Sequence, residues 1–121
     1  MINKLIFMNF YILIIFSNVI FADDNKTLSG LLSTNECLEC SFSNMDLKEF
    51  TLSNSILRNS SFTEVNLSKT SLQRANFLGS SFKNVNLIGS NLQGANLDET
   101  EIVDSQLNSV DLSGASMRNT T

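Results

Sequence analysis

Histidine, tryptophan and proline are all missing from this chain of 121 residues, and cysteine occurs only twice, as Cys37 and Cys40. The absence of histidine removes the commonest general base and the commonest metal ligand together, so acid-base catalysis would have to rest on carboxylates. Zinc needs four ligands, and two sulfurs without an imidazole do not supply them. With no Ser-His-Asp set and no glycine-rich phosphate loop, an enzyme is the weakest functional class, and neither cofactor nor metal is expected. Positive charge is also scarce. Of the 8 basic residues only Lys4 lies in the apolar opening, which leaves 7 against 12 acidic ones in the rest. A net charge of about −5 gives no electrostatic reason to bind nucleic acid.

The opening "MINKLIFMNFYILIIFSNVIFADD" reads as an export signal. Lys4 supplies a short positive region, Leu5 to Phe16 an almost unbroken apolar one, and Ala22 a small residue at which a signal peptidase could cut. The run from Leu5 to Ala22 is also just long enough to span a bilayer, so an uncleaved anchor is the competing reading. Asn9, Ser17 and Asn18 dilute the run and favour cleavage. The expected location is periplasmic or secreted, with membrane association only if residues 1–22 are kept.

What the chain has in abundance is a period of five. Phe42, Leu47, Leu52, Leu57, Phe62, Leu67, Leu72, Phe77, Phe82, Leu87, Leu92, Leu97, Ile102, Leu107, Leu112 and Met117 form an unbroken series of large apolar centres. A helix would repeat at 3.6 and a strand at 2, so neither accounts for it. Two residues before each centre the side chain is mostly small, as at Ser55, Ser60, Val65, Thr70 and Ala75, with Met45 and Phe50 departing. Each unit therefore sends one large and one small side chain inward, and its other residues turn the chain. Two positions after the centre stands Gly or Asn at Asn44, Asn54, Asn59, Gly79, Asn84, Gly89, Gly94, Gly114 and Asn119, where a type II turn demands positive φ. Glu49, Glu64, Lys69, Arg74, Glu99 and Ser109 break that rule and predict type I or irregular turns.

A longer period closes the circuit. Residues 60–79, "SSFTEVNLSKTSLQRANFLG", match 80–99, "SSFKNVNLIGSNLQGANLDE", at ten of twenty positions. Four units with near-right-angle turns make a square, and each circuit should lie ~4.8 Å above the last. Phe42, Phe62 and Phe82 then stack on one side, completed by Ile102, while Leu47, Leu67, Leu87 and Leu107 form the next.

The units "VNLIG", "ANLDE", "ANFLG" and "VDLSG" resemble the A(D/N)LXX motif of the pentapeptide repeat proteins. The resemblance covers residues 40–119 and implies an all-β fold, a right-handed quadrilateral β-helix of about four circuits, from a bacterial source. Residues 23–39 are then an N-terminal cap, with Leu28, Leu31 and Leu32 at helical spacing and Asp24 or Asn25 placed to start the helix, and residues 120–121 are a tail. "LLSTNECLEC" also resembles the leader that precedes the repeats in family members, exported ones included. Two readings of the cysteines stay open: a Cys37–Cys40 disulfide in an oxidising compartment, or a buried Cys40 thiol beside a cap residue.

The outer surface offers less. Asp98, Glu99, Glu101 and Asp104 form the densest acidic patch, and calcium ligation competes there with a solvated corner, the reading charge runs usually deserve. Asn66, Asn76, Asn86, Asn91 and Asn96 precede their centres and suit turn-stabilising roles better than ligand contact. Ile56, Leu78, Ile88 and Val103 read as isolated outward apolar residues on different sides or heights. Some pentapeptide repeat proteins protect DNA gyrase by imitating duplex DNA, an alternative that wants a long acidic stripe. Here Lys48, Arg58, Lys69, Arg74, Lys83 and Arg118 interrupt it. The expectation is an exported structural or protein-interaction module with an unidentified protein partner. The alternatives are a DNA mimic, a membrane-anchored envelope spacer, and self-association through the last circuit.

Overall fold

A computed structural model describes residues 22–121, so the expected leader lies outside the described residues except for Ala22. Helix α1 (Ala22–Thr34) is followed by strands β1 (Ser41–Ser43), β2 (Ser61–Thr63), β3 (Ser81–Lys83) and β4 (Glu101–Val103). The strands pair in parallel in chain order, with Phe42 opposite Phe62, Phe62 opposite Phe82 and Phe82 opposite Ile102. On the other sides isolated parallel bridges keep the same interval, among them Asp46 with Asn66, Thr51 with Ser71 and Ile56 with Asn76. The fold is a right-handed quadrilateral β-helix with a short helix at its N-terminal end.

In the unit around Leu67 five consecutive N–H groups all find acceptors. Asn66 N–H donates to the Met45 carbonyl of the preceding circuit at 2.8 Å. Leu67 and Lys69 N–H donate to Asn86 and Ile88 of the following circuit at 2.7 and 2.9 Å, and Thr70 N–H closes the turn onto the Leu67 carbonyl at 3.2 Å. The fifth, Ser68 N–H, is taken by Asn66 Oδ1 at 3.1 Å. An asparagine before the centre thus satisfies a backbone donor that the ladder does not reach. Asn76, Asn86, Asn91 and Asn96 repeat the bond at 2.9 to 3.1 Å.

The corners correct one expectation. Every residue two after a centre has φ between 51 and 69°, and this includes Glu49, Glu64, Lys69, Arg74, Glu99 and Ser109. Left-handed backbone costs a non-glycine residue about 1 to 2 kcal/mol, but each of these N–H groups from Glu49 to Glu99 also donates to the next circuit. The ladder overrides local preference.

Inside, Phe42, Leu47, Leu52, Leu57, Phe62, Leu67, Leu72, Phe77, Phe82, Leu87, Leu92 and Leu97 are buried. Phe42, Phe62 and Phe82 stack at 4.7 and 5.0 Å between ring centroids, while Phe77 meets Phe62 and Phe82 edge-on. The last four centres differ: Ile102 and Leu112 are only half-buried, and Leu107 and Met117 are 41% and 45% exposed, since no circuit among the described residues lies over them.

The smaller inward residues often carry hydroxyls that tie circuits together. Thr70 Oγ1 donates to the Leu47 carbonyl, Ser80 Oγ to Leu57 and Thr100 Oγ1 to Phe77, at 2.7 to 3.0 Å. Ser90 Oγ is buried with no partner.

Two boundaries move. Glu36 already bridges Ile56, so the coil starts before residue 40, and Ile102 N–H donates to the Thr121 carbonyl, so residues 120–121 belong to the ladder. The helix runs through Asp24 and Asn25, so neither stands at its start. Its Leu28 and Leu31 are buried, its Leu32 packs against the core, and Asn35 ends it with φ 60° and a bond to the Leu31 carbonyl.

Candidate binding groove

An octet of residues on the third side, the side of Leu52, Leu72, Leu92 and Leu112, surrounds a groove of 510 Å³. Its residues follow the centres by one position (Ser53, Gln73, Gln93, Ser113) or two (Asn54, Arg74, Gly94, Gly114). The first position after a centre points outward, and twenty-residue stacking places Ser53, Gln73, Gln93 and Ser113 in one column ~4.8 Å per step. Ser53 Oγ reaches Gln73 Oε1 at 3.4 Å, and Asn35 Nδ2 donates to the Ser53 carbonyl at the lower end.

The corner residues decide the shape. At positive φ a side chain runs along the coil axis and lies over the equivalent residue of the next circuit. A Cβ built on Gly94 would stand 3.4 Å from Arg74 Cγ, and one on Gly89 3.6 Å from Lys69 Cγ. Gly94 therefore sits beside the arginine stem, Gly114 faces the Gly94 backbone, and together they keep the wall low. Among the described residues no carboxylate lies within ion-pair distance of Arg74; the two pairs found are Lys48–Glu49 and Arg118–Asp98, both at 3.9 Å. The groove carries one positive charge among carboxamides and hydroxyls.

Sequence reasoning missed this site. Its residues are individually ordinary polar side chains, and only their stacking brings them together. The signal present in the chain was the recurrence of Leu-Gln at Leu72-Gln73 and Leu92-Gln93, inside the twenty-residue repeat.

Cys37 and Cys40 are joined in a disulfide, with Cα atoms 5.7 Å apart. Cys37 holds the centre position five residues before Phe42 and is 8% exposed, so it is a wall residue of the coil. The bridge links a centre to the residue three later, the same two positions that a backbone N–H···O bond joins at Leu47–Phe50 or Leu67–Thr70. Ser60 Oγ bonds the Cys37 carbonyl and accepts from Cys40 N–H, both at 3.1 Å, fixing the bridge to the next circuit.

The acidic patch is divided. Asp98 and Glu99 follow Leu97 on the fourth side, while Glu101 and Asp104 flank Ile102 on the first. Asp98 Oδ1 accepts from Ser116 Oγ at 2.6 Å and Arg118 N–H at 2.8 Å, and these bonds, with the Arg118 charge, hold its carboxyl below the usual range. Asp111 is lowered likewise by the hydroxyl and N–H of Ser113. Among the described residues no group of three or more His, Cys, Asp or Glu could hold a metal ion, and no helix is long and apolar enough to cross a membrane. The outward apolar residues are less scattered than their spacing implied. Leu38, Ile56 and Leu78 share the fourth side on neighbouring circuits, Leu38 being 51% exposed.

A family model described as "Pentapeptide repeat region" matches residues 36–112. Similar solved structures include Rfr23, a pentapeptide repeat protein from the cyanobacterium Cyanothece 51142, at 34% identity over 71% of this chain and 63% of that one, with a TM-score of 0.40. The pentapeptide repeat protein alr5209 from Nostoc Pcc 7120 matches at 20% identity over 74% of both chains, TM-score 0.49. QnrB1, a plasmid-mediated fluoroquinolone resistance protein, matches at 19% over 70% of this chain and 44% of its own, TM-score 0.37. This chain thus spans less than two thirds of the length of Rfr23. No curated protein matches it.

Proposed function

Because the chain belongs to the pentapeptide repeat family, we propose that it is a non-enzymatic, exported solenoid that acts as a structural or protein-interaction module. The observation that carries this reading is the use already made of the interior. Buried centres fill the middle of the coil, and many of its backbone donors are spent on neighbouring circuits and turns, so recognition falls to the polar side chains of the outer faces. Such faces suit a folded or extended polypeptide better than a small substrate, which needs a concave, largely apolar pocket. Export is supported by the apolar opening with its Lys4 and Ala22, and by a disulfide where the cap meets the coil.

The deciding experiment is the mass of the mature protein from each cell fraction, with and without reductant. A species beginning near Asp23 in an exported fraction, lighter by the two thiol hydrogens when unreduced, is the expected result. A full-length, reduced protein in the cytosol overturns export.

A further inference from the structure

We propose that the groove on the third side binds an extended peptide segment through one of its carboxylates, with Arg74 as the anchoring group; this deepens the interaction reading above and rests on it. The groove has one charged lining residue, and it is a cation. The Arg74 stem runs toward Gly94, its Cγ 3.4 Å from where a Cβ there would stand, and the exposed Arg74 is part of the groove lining. No carboxylate among the described residues competes for it. The nearest circuit with an acid on this side is that of Asp111, two circuits on, and that carboxylate is occupied by Ser113. A guanidinium fork matches a carboxylate with two parallel hydrogen bonds.

The rest of the lining selects the kind of molecule that bears the carboxylate. Gln73 and Gln93 each offer a donor and an acceptor, which is what a peptide backbone presents in return. No aromatic ring lines the groove, so a stacked base has no platform. Four stacked rungs, from Ser53 to Ser113, span about 14 Å, the length of four or five extended residues. Gly94 and Gly114 leave the upper half low-walled, where a chain can lie against backbone.

The test uses the full disulfide-bonded protein, labelled with nitrogen-15 and titrated with acetyl-(Ser-Glu)3-amide at fixed ionic strength. Expected are shifts confined to the Gln73 and Gln93 carboxamides, Arg74 Nε and the Ser113 amide. Binding should fall about tenfold or more for acetyl-(Ser-Gln)3-amide or in Arg74→Gln, and stay unchanged in Arg58→Gln on the fourth side. Shifts spread evenly over Arg58, Lys69 and Lys83, or full reproduction by free acetate, overturn the peptide site. So does the absence of any shift. A natural protein partner that binds wild type and Arg74→Gln equally also overturns the groove while leaving the interaction reading intact.

Discussion

The phenylalanine side of the coil and its leucine sides are built from the same pentapeptide and yet turn their corners differently. After Leu47, Leu67, Leu87 and Leu107, and again after Leu52, Leu72, Leu92 and Leu112, the N–H three residues on closes back to the centre's carbonyl. After Phe42, Phe62, Phe82 and Ile102 no such bond forms, and the backbone stays extended long enough to make a three-residue strand. The far ends of these open corners hold Met45, Val65 and Val85 inside. Ile102 has no ring and its corner ends on Ser105, but it is open too. Corner type therefore follows the column on the first three sides, while the fourth side is mixed: the corners after Phe77 and Leu97 close, and after Leu57 the Ser60 N–H donates to Ser80 Oγ instead.

The strongest way to break the comparison is a charge in a leucine column. Leu87→Asp buries an unpaired carboxylate and is expected to unfold the middle circuits, a loss on the order of 5 kcal/mol or more; retention of the thermal midpoint and of the β-type circular dichroism would show that Leu87 does not face inward. Next comes the phenylalanine column. Phe62→Ala, which opens a hole between two stacked rings, should cost about 3 to 5 kcal/mol, and Phe62→Leu less than about 1.5. Phe62→Leu also sharpens the rule about columns: the Val65 amide should exchange with solvent as fast as before, whereas new protection would mean that the ring itself holds the corner open.

The disulfide corner gives a smaller effect. Reduction removes the closure of a very short loop, worth ~2 kcal/mol on the chain-entropy view, and chemical denaturation with and without reductant measures it. Smaller still is the contrast within the column of Thr70 and Ser90. Thr70→Val gives up the bond to the Leu47 carbonyl and should cost about 1 kcal/mol, while Ser90→Ala removes a buried hydroxyl without a partner and should be neutral or stabilising.

Acid should loosen the last circuits first. The Asp98 carboxyl titrates below its unfolded range because Ser116, the Arg118 N–H and the Arg118 charge favour the ionised form. Its contribution is present above the unfolded carboxylate range, around pH 4, and is lost as pH falls through the lower folded value. Hydrogen exchange at Ser116 and Arg118 should rise over that window in wild type and be flat in Asp98→Asn.

Much of this architecture was legible because the inward pair of each unit is apolar and small in strict alternation, and because the twenty-residue repeat set the number of sides. The corners at Glu64, Lys69 and Arg74 were not, since a left-handed charged residue is locally unfavourable and only the inter-circuit bond makes it the better choice. Cys37 escaped the register because a thiol is not a large apolar side chain. Gln73, Arg74 and Gln93 escaped because outward residues carry no hydrophobic signal, and their meeting depends on a stacking distance longer than any local motif.

The four-unit circuit also sets how this molecule can change length. Excising one pentapeptide, such as residues 75–79, would leave every remaining centre apolar, but it would advance all that follows by a quarter turn. Phe82 would leave the stack of Phe62, and Gln93 would no longer stand over Gln73. Excising twenty residues, such as 60–79, would remove one storey and leave every column in phase. Insertions and deletions in such a chain fall into two kinds, those that shorten a surface and those that shuffle it, although both can keep the fold.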